Sequence, residues 1–318
     1  MIGQTIAEFL DSTRKPFFSF EIIPPSRGGS ISDIQRMLDP LMPHDPAFVD
    51  VTNHAADSIF KQLPDGSYRR HVYRKRPGTL GLCAAIKYRY NVETVPHILC
   101  YGFSREETED ALIELSYLDI RNLLAVRGDP VQGPSDRRGT PNGYAIDVVR
   151  QVTDMNRGVY LHEMSNVAPT GFCVGVAGYP EKHFESPSRN WDLRHLKDKV
   201  DAGASYVVSQ MFYRNSSWFE WVRQCREQGI TVPLIPGLKV LTTRSQLTSL
   251  PRTFHCDMPD ELVDDVAAAT GREQIREIGV RFAIRQAREL LDGGAPGVHF
   301  FVTRDAEAVS RVLSALDL

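Results

Sequence analysis

The sequence predicts an α/β protein, a single TIM-type (β/α)8 barrel of residues 1–318 with a long insertion after its second strand. Eight short apolar runs of the buried-strand type follow one another along the chain. Helical segments separate most of these runs, as expected of parallel strands with crossover helices. Neither GxGxxG nor GxxxxGK(S/T) is present, which disfavours the two common phosphate-loop folds. The chain of 318 residues is long enough for a barrel of about 250 residues with extra loops.

The eight predicted strands are bounded by turn-forming or polar residues. In chain order they cover residues 17–23, 48–52, 95–100, 123–126, 173–177, 206–211, 232–235 and 298–302. Two segments exceed what a minimal barrel needs. Residues 54–94 are predicted to form an extended loop or insertion, and residues 130–143, rich in Pro, Gly and Asp, a loop at the barrel mouth.

Boundary signals mark several of the helices between these strands. Capping boxes predict helix starts at Ser104 and Ser217, and the second of these helices would end at Gly229. Another helix is predicted over about 192–202 and would end at Gly203.

Composition and charge exclude several classes of protein. Hydrophobic residues make up 42% of the chain, which supports a folded core, and a net charge of −3 gives no support for a dedicated nucleic-acid or membrane-surface binder. No apolar run approaches the roughly 20 residues of a spanning helix, and the sequence predicts a cytoplasmic protein with small-molecule partners. The five cysteines include no CxxC pair and the histidines no HExxH, so no metal site is predicted.

Polar residues at the strand ends should converge on the barrel mouth, where this fold places its chemistry. Glu21 interrupts an apolar strand, and burial disfavours the charged form of a carboxylate, which suits a general acid. A structural Glu paired with Arg is an equal alternative. Gln210 ends another apolar strand, and its amide must bind either a ligand or the backbone.

Other polar groups have two readings each. Arg127, Gly128 and Asp129 would either bind a ligand or form a surface turn. Asp192 and Lys199 share one helical face. They would form either a solvated charged pair or the contact surface of a large polar cofactor. The basic run at 68–76 is either a solvated face or an anion funnel for a polyanionic substrate tail.

Several patches in order resemble the methylenetetrahydrofolate reductase family. They are FSFEIIPP, FVDVT, VPHILC, LLAVRGDP, AGYPEKH, LKDKVDAGA, SQMFY, LIPGL and GVHFFVTRDAEAV, and they span about residues 17–310. The resemblance implies a barrel with FAD at its mouth and NADH or NADPH as electron donor. It also implies ping-pong hydride transfer that reduces 5,10-methylenetetrahydrofolate, possibly polyglutamylated, to the 5-methyl form, and a homo-oligomer.

The resemblance also implies residue roles. Glu21 falls on the catalytic acid, and Asp129 on a carboxylate beside the flavin that also touches the pterin. The implied cofactor contacts are Thr52, Asn53, Ala55, His97, Arg127, Gly128, Asp129, Tyr144, Ala145, Tyr179, His183, Asp192 and Lys199. The implied substrate contacts are Glu21, Asp129, Gln210, Gln246, Leu250 and Arg304.

The chain departs from the family pattern in three places. Asn53 and His54 stand where an aromatic residue and a glycine are common, Leu250 replaces a stacking aromatic, and Asp305 replaces a substrate arginine, with Arg304 one place earlier. These departures keep open the alternative of an inactive folate- or flavin-binding paralogue. A flavin barrel that oxidises an amine such as proline is a second alternative, because related barrels could hold FAD similarly.

Overall fold

The chain folds as a ring of parallel strands surrounded by helices, and the computed structural model describes residues 3–128, 141–303 and 305–316. The strands are β1 Phe17–Ile22, β2 Phe48–Val51, β3 Asp57–Gln62, β4 Tyr68–Tyr73, β5 Glu93–Leu99, β6 Asn122–Val126, β7 Cys173–Gly178, β8 Tyr206–Ser209, β9 Leu234–Ile235, β10 Gly237–Leu238 and β11 Gly297–Val302. The helices are α1 Ile6–Ser12, α2 Ile31–Leu38, α3 Thr79–Tyr90, α4 Arg105–Tyr117, α5 Ala145–Asn156, α6 Arg189–Asp201, α7 Asn215–Glu227, α8 Gln246–Phe254, α9 Asp260–Ala268, α10 Arg272–Asp292 and α11 Ala306–Leu316.

The predicted barrel is confirmed, with its seventh strand divided in two. The sheet order is β10-β11-β1-β2-β5-β6-β7-β8-β9, and each neighbouring pair is parallel. Pro236, which has no N–H to donate, separates β9 from β10. Strand β9 pairs with β8, and β10 pairs with β11. The two short strands on either side of Pro236 are therefore the two ends of the sheet, and the chain passes directly from one end to the other.

Side chains alternate between the barrel interior and the helix layer. Phe18, Phe20 and Ile22 of β1 belong to the large apolar cluster shared with the surrounding helices. Phe17 belongs instead to a second cluster that fills the interior at the amino ends of the strands. Helix α1 closes that end, with Ile6 fully buried. The interior is thus apolar at the amino ends of the strands, and its polar groups lie towards the carboxyl ends.

Two predicted helix starts are wrong and one is confirmed. Ser104 caps α4 as predicted, by accepting a hydrogen bond from the backbone of Glu107. Helix α6 begins three residues before the predicted start because Ser188 caps it. Helix α7 begins at Asn215 rather than after Ser217, since the buried Asn215 amide donates to the Gln286 carbonyl of α10 and anchors the first turn there.

The segment 54–94 contains regular structure. Strands β3 and β4 form an antiparallel hairpin in a separate two-stranded sheet, and helix α3 follows before β5 begins at Glu93. Most of the predicted mouth loop 130–143 lies outside the described residues. Within the described ranges, no helix combines the length and the apolar character needed to cross a membrane.

Candidate active site

Glu21 is the residue before the last of β1 and lies at the carboxyl end of the barrel strands. Its sheet neighbours are Asp50 of β2 and Phe301 of β11. It shares the inward face with Phe17, because side chains two residues apart in a strand point to the same side. The side chain keeps 17% of its surface exposed. Glu21 can therefore meet a ligand at the mouth while its carboxyl group is largely desolvated.

Glu21, Asp50 and His97 form what we call the acid cluster. Nε2 of His97 lies 3.5 Å from Oε2 of Glu21 and 3.5 Å from Oδ2 of Asp50. The Asp50 side chain is fully buried, and neither of its oxygens has a hydrogen-bond partner in the described part of the chain. Two carboxyl groups thus compete for one imidazole nitrogen.

Burial sets the protonation of the acid cluster. It raises the pKa of Glu21 to about 7, although His97 and Lys239 act to lower that pKa and Asp50 raises it further. Burial also raises the pKa of Asp50 well above its usual range, and it lowers the pKa of His97. Burial thus favours the protonated form of Asp50 and the neutral form of the His97 ring, and it brings the pKa of Glu21 close to neutral pH.

Lys239 supplies a positive charge beside this cluster. It follows β10, and its Nζ donates a 2.9 Å hydrogen bond to the carbonyl of Phe301. Burial lowers the pKa of Lys239 to about 8, and the carboxyl groups of Glu21 and Asp305 oppose that shift. The ammonium group thus favours the ionised form of Glu21, in opposition to burial.

His299 extends the polar interior below the acid cluster. Its Nδ1 and the hydroxyl of Ser19 share a hydrogen bond of 2.8 Å, and burial together with His97 lowers its pKa to about 3. Asp50, Lys239 and His299 are not among the site residues predicted from the sequence. For Asp50 and His299 the signal existed, because each interrupts an apolar strand as Glu21 does.

A second set of predicted residues meets on the opposite side of the mouth. Arg127 directly follows β6, pairs with Glu185, and lies 5.4 Å from the ring centroid of Tyr101. The hydrogen bond with Glu185 raises the pKa of Arg127. Gly128 comes next with a φ of +79°, a conformation that L side chains rarely adopt.

Tyr179, His183, Asp192 and Lys199 complete this set. The Tyr179 and His183 rings are 4.6 Å apart, and the His183 amide donates to Asp192. Lys199 Nζ donates a 2.7 Å hydrogen bond to the carbonyl of Ala177 at the end of β7, and burial lowers its pKa to about 8. Asp192 and Lys199 are therefore not a solvated pair, because Lys199 binds the end of β7 and Asp192 binds the loop that follows it.

The remaining predicted cofactor contacts lie in the loop after β2 and at the start of α5. The Thr52 amide donates to Ile22, and Ala55 lies so close to Gly102 that a Cβ there would come within 2.2 Å of it. Asn53 is half-buried in the same loop. Tyr144 immediately precedes α5 and is 64% exposed, and Ala145 is the first residue of that helix.

The predicted folate contacts are mostly engaged within the chain. Gln210 Oε1 accepts from the amide of Met211, and Gln246 Oε1 accepts from the amides at 242 and 243. Leu250 is only 6% exposed, in an apolar cluster with Met211 and Tyr213. Asp305 accepts from Arg276 and caps α11. The predicted contacts Asp129 and Arg304 lie outside the described residues.

The fold and this mouth define a β/α barrel with an acid cluster on one side and a cationic group on the other. The family model for methylenetetrahydrofolate reductase matches residues 5–317, so the chain belongs to that family. Methylenetetrahydrofolate reductase 1 of Schizosaccharomyces pombe is 29% identical over 97% of this chain and 47% of its own length. The 5,10-methylenetetrahydrofolate reductase of Pectobacterium carotovorum subsp. carotovorum is 27% identical over 91% of this chain and 86% of its own.

The chain spans about half the length of the fission-yeast relative. A solved structure from Clostridium thermocellum, described as an uncharacterized protein that binds two copies of 5-methyl-5,6,7,8-tetrahydrofolic acid, matches with a TM-score of 0.59 at 12% identity. That match covers 98% of this chain and 97% of the other. At this identity it supports the barrel fold alone.

Proposed function

We propose that the chain reduces 5,10-methylenetetrahydrofolate to 5-methyltetrahydrofolate with NADH or NADPH as electron donor and FAD as bound cofactor. The observation that carries the proposal is Glu21, an inward-facing acid at the mouth with a pKa of about 7. Membership of the family supports the substrate class. A homo-oligomer and a cytoplasmic location stay predictions from the sequence.

The residues on the Arg127 side of the mouth fit a flavin dinucleotide. Arg127 and Lys199 offer positive charge to phosphate oxygens. Gly128, with its φ of +79°, lets a ligand approach the backbone closely. These residues would hold the cofactor together with His183 and Asp192. When bound, the flavin would supply the hydride chemistry that links the nicotinamide to the folate.

Glu21 would act as the general acid for the folate. The bridging carbon accepts hydride poorly until its five-membered ring opens to an iminium, and ring opening needs a proton on the departing nitrogen. Glu21 carries that proton when protonated and can deliver it from the mouth, directly or through one water. We propose that Asp129 accepts hydrogen bonds from the pterin and orients it.

The direct test of this function is the visible spectrum of the purified protein and its response to substrates. We expect a yellow protein that is bleached anaerobically by NADH or NADPH and recoloured by methylenetetrahydrofolate, with 5-methyltetrahydrofolate as the product. Recolouring only by the oxidised product of an amine such as proline would support the alternative oxidoreductase. A colourless protein that does not bind added FAD would contradict the proposal.

The folate half-reaction should slow above pH 7. Glu21 must be protonated to act as an acid, and burial raises its pKa to about 7, so the active form dominates below that pH and falls as pH rises. Single-turnover reoxidation of the reduced protein by the folate, measured as a function of pH, gives this fall in rate. Reduction by NADH over the same pH range is the control. A fall in rate centred near pH 4.5, the usual pKa of a glutamate, would contradict the assignment of Glu21 as the acid.

A basic cleft beside the loop that follows β1 supports the hypothesis of a polyglutamylated substrate. Arg27, Arg74 and Arg76 line a cavity of about 340 Å³ together with Gly28 and Gly29. The loop after β1 and the segment after β4 form this cleft, and the Arg27 amide donates to the carbonyl of Lys75. Of the predicted cationic run Arg69, Arg70, Arg74, Lys75 and Arg76, only Arg74 and Arg76 line this cleft.

We expect affinity for the folate to rise with its number of glutamates, and this gain to shrink with added salt, because the attraction is screened. R74Q should remove most of the gain. R69Q is the matched control, since Arg69 lies opposite Lys61 in the antiparallel hairpin and does not line the cleft. Equal binding of mono- and polyglutamates by the unmodified protein would exclude this role.

A further inference from the structure

The Asp50 carboxyl group is the most deeply buried member of the acid cluster. Neither of its oxygens has a hydrogen-bond partner in the described chain, and its neighbours in the sheet are Glu21 and Val95. An ionised carboxylate without donors is very unfavourable in such a place, whereas a protonated carboxyl group is not. Asp50 therefore enters the cluster as a hydrogen-bond donor that needs an acceptor.

Nε2 of His97 is the acceptor that the geometry offers. It lies 3.5 Å from Oδ2 of Asp50, is itself buried, and also has no hydrogen-bond partner among the described residues. A neutral imidazole has one acceptor nitrogen and one N–H. The separation exceeds that of a formed hydrogen bond by about half an ångström, which a small side-chain movement closes.

Other titratable groups around this pair act on its charge. Glu21 of β1 faces both residues, and Lys239 and His299 lie beyond Glu21 and His97. The phenol of Tyr206 and the thiol of Cys83 are further titratable groups near Asp50, and burial raises the pKa of both. Lys239 is the cation of this set and binds the carbonyl of Phe301, so Asp50 lacks a cationic partner among these groups.

We propose that Asp50 is a positioning residue: its carboxyl group donates a hydrogen bond to Nε2 of His97 and holds the ring as the tautomer that carries hydrogen on Nδ1. The proton remains on Asp50, and no bond is broken. Because Nε2 is then occupied, it cannot accept the proton of Glu21, and that proton stays available to a ligand at the mouth. This last consequence rests on the proposed function, whereas the tautomer does not.

The tautomer is measurable by ¹⁵N NMR of histidine-labelled protein with its flavin bound. The H97Q variant identifies the His97 signals by their absence. In the unmodified protein at pH 7 we expect Nε2 to give the shift of a nitrogen without hydrogen, and Nδ1 that of an N–H. An imidazolium signal, or hydrogen on Nε2, would overturn the proposal even if no further variant folded.

Three variants assign the effect to Asp50. D50N keeps a donor and should preserve the tautomer, whereas D50V removes the donor at similar size and should shift hydrogen to Nε2 in part or in full. E21A should leave the ring unchanged. The proposal would be contradicted if His97 had the same tautomer in D50V as in the unmodified protein. It would also be contradicted if the tautomer of His97 changed in E21A.

The kinetic consequence separates positioning from stability. D50V should lose about tenfold in the folate half-reaction, the size expected from one buried hydrogen bond, while reduction by NADH persists. D50N should keep the rate and its fall with pH. If the protein turned over no folate at all, the proposed function would be contradicted, while NMR could still measure the tautomer of His97. If the protein turned over folate but His97 carried hydrogen on Nε2, only this inference would be contradicted.

Discussion

Replacing Glu21 with glutamine should abolish most folate reduction while leaving reduction by the nicotinamide nearly intact. Glutamine has almost the same shape but cannot release a proton at neutral pH. General acid catalysis is worth about 100- to 10,000-fold, so the folate half-reaction should fall within that range. The proton is needed only when the folate ring opens, and bleaching by NADH or NADPH should therefore change little.

Anaerobic stopped-flow experiments on each half-reaction separately measure this difference. E8Q is a matched control, because the Glu8 side chain accepts a hydrogen bond from the Thr5 amide in the capping box of α1, at the closed end of the barrel. A parallel fall of both half-reactions in E21Q would mean that Glu21 holds the cofactor or the fold rather than delivering a proton. Unchanged folate reduction would remove Glu21 from the mechanism altogether.

Replacing Gly279 with alanine should destabilise the protein strongly. Gly279 lies in α10, and a Cβ there would lie 1.7 Å from the carbonyl oxygen of Leu241, a backbone atom that cannot rotate away. Alanine favours a helix by up to about 1 kcal/mol over glycine. Forcing α10 off its neighbour should cost about 1–3 kcal/mol or more and outweigh that gain. The free energy of unfolding should therefore fall.

G81A is the matched control for this prediction. Gly81 also lies within a helix, α3, but no heavy atom lies within 4 Å of the position of its added Cβ. There alanine should stabilise the protein by about 0.5–1 kcal/mol. Urea unfolding of both variants checks the difference, and equal stability would contradict the close approach of α10 to Leu241. Because Leu241 comes two residues after Lys239, G279A should also disturb the acid cluster.

Predictions from local pattern were accurate where the pattern itself has a physical cause. The order of strands and helices followed from apolar runs and caps, and Ser104 caps α4 as its capping box requires. Glu21 was found because a carboxylate inside an apolar strand needs an explanation. The same reasoning would also have found Asp50 and His299, but not Lys239, which follows its strand.

The sequence by itself predicted the barrel, the family and the position of Glu21 at a strand end, because hydrophobic periodicity and motif order are local properties of the chain. Only the tertiary structure decided that Asp50 and Glu21 compete for one nitrogen of His97, and that Lys199 binds a strand end instead of solvent. It also showed Pro236 dividing the seventh strand. These features depend on strand register and burial between distant segments, such as the 280 residues that separate Ser19 from His299, and no local pattern encodes them.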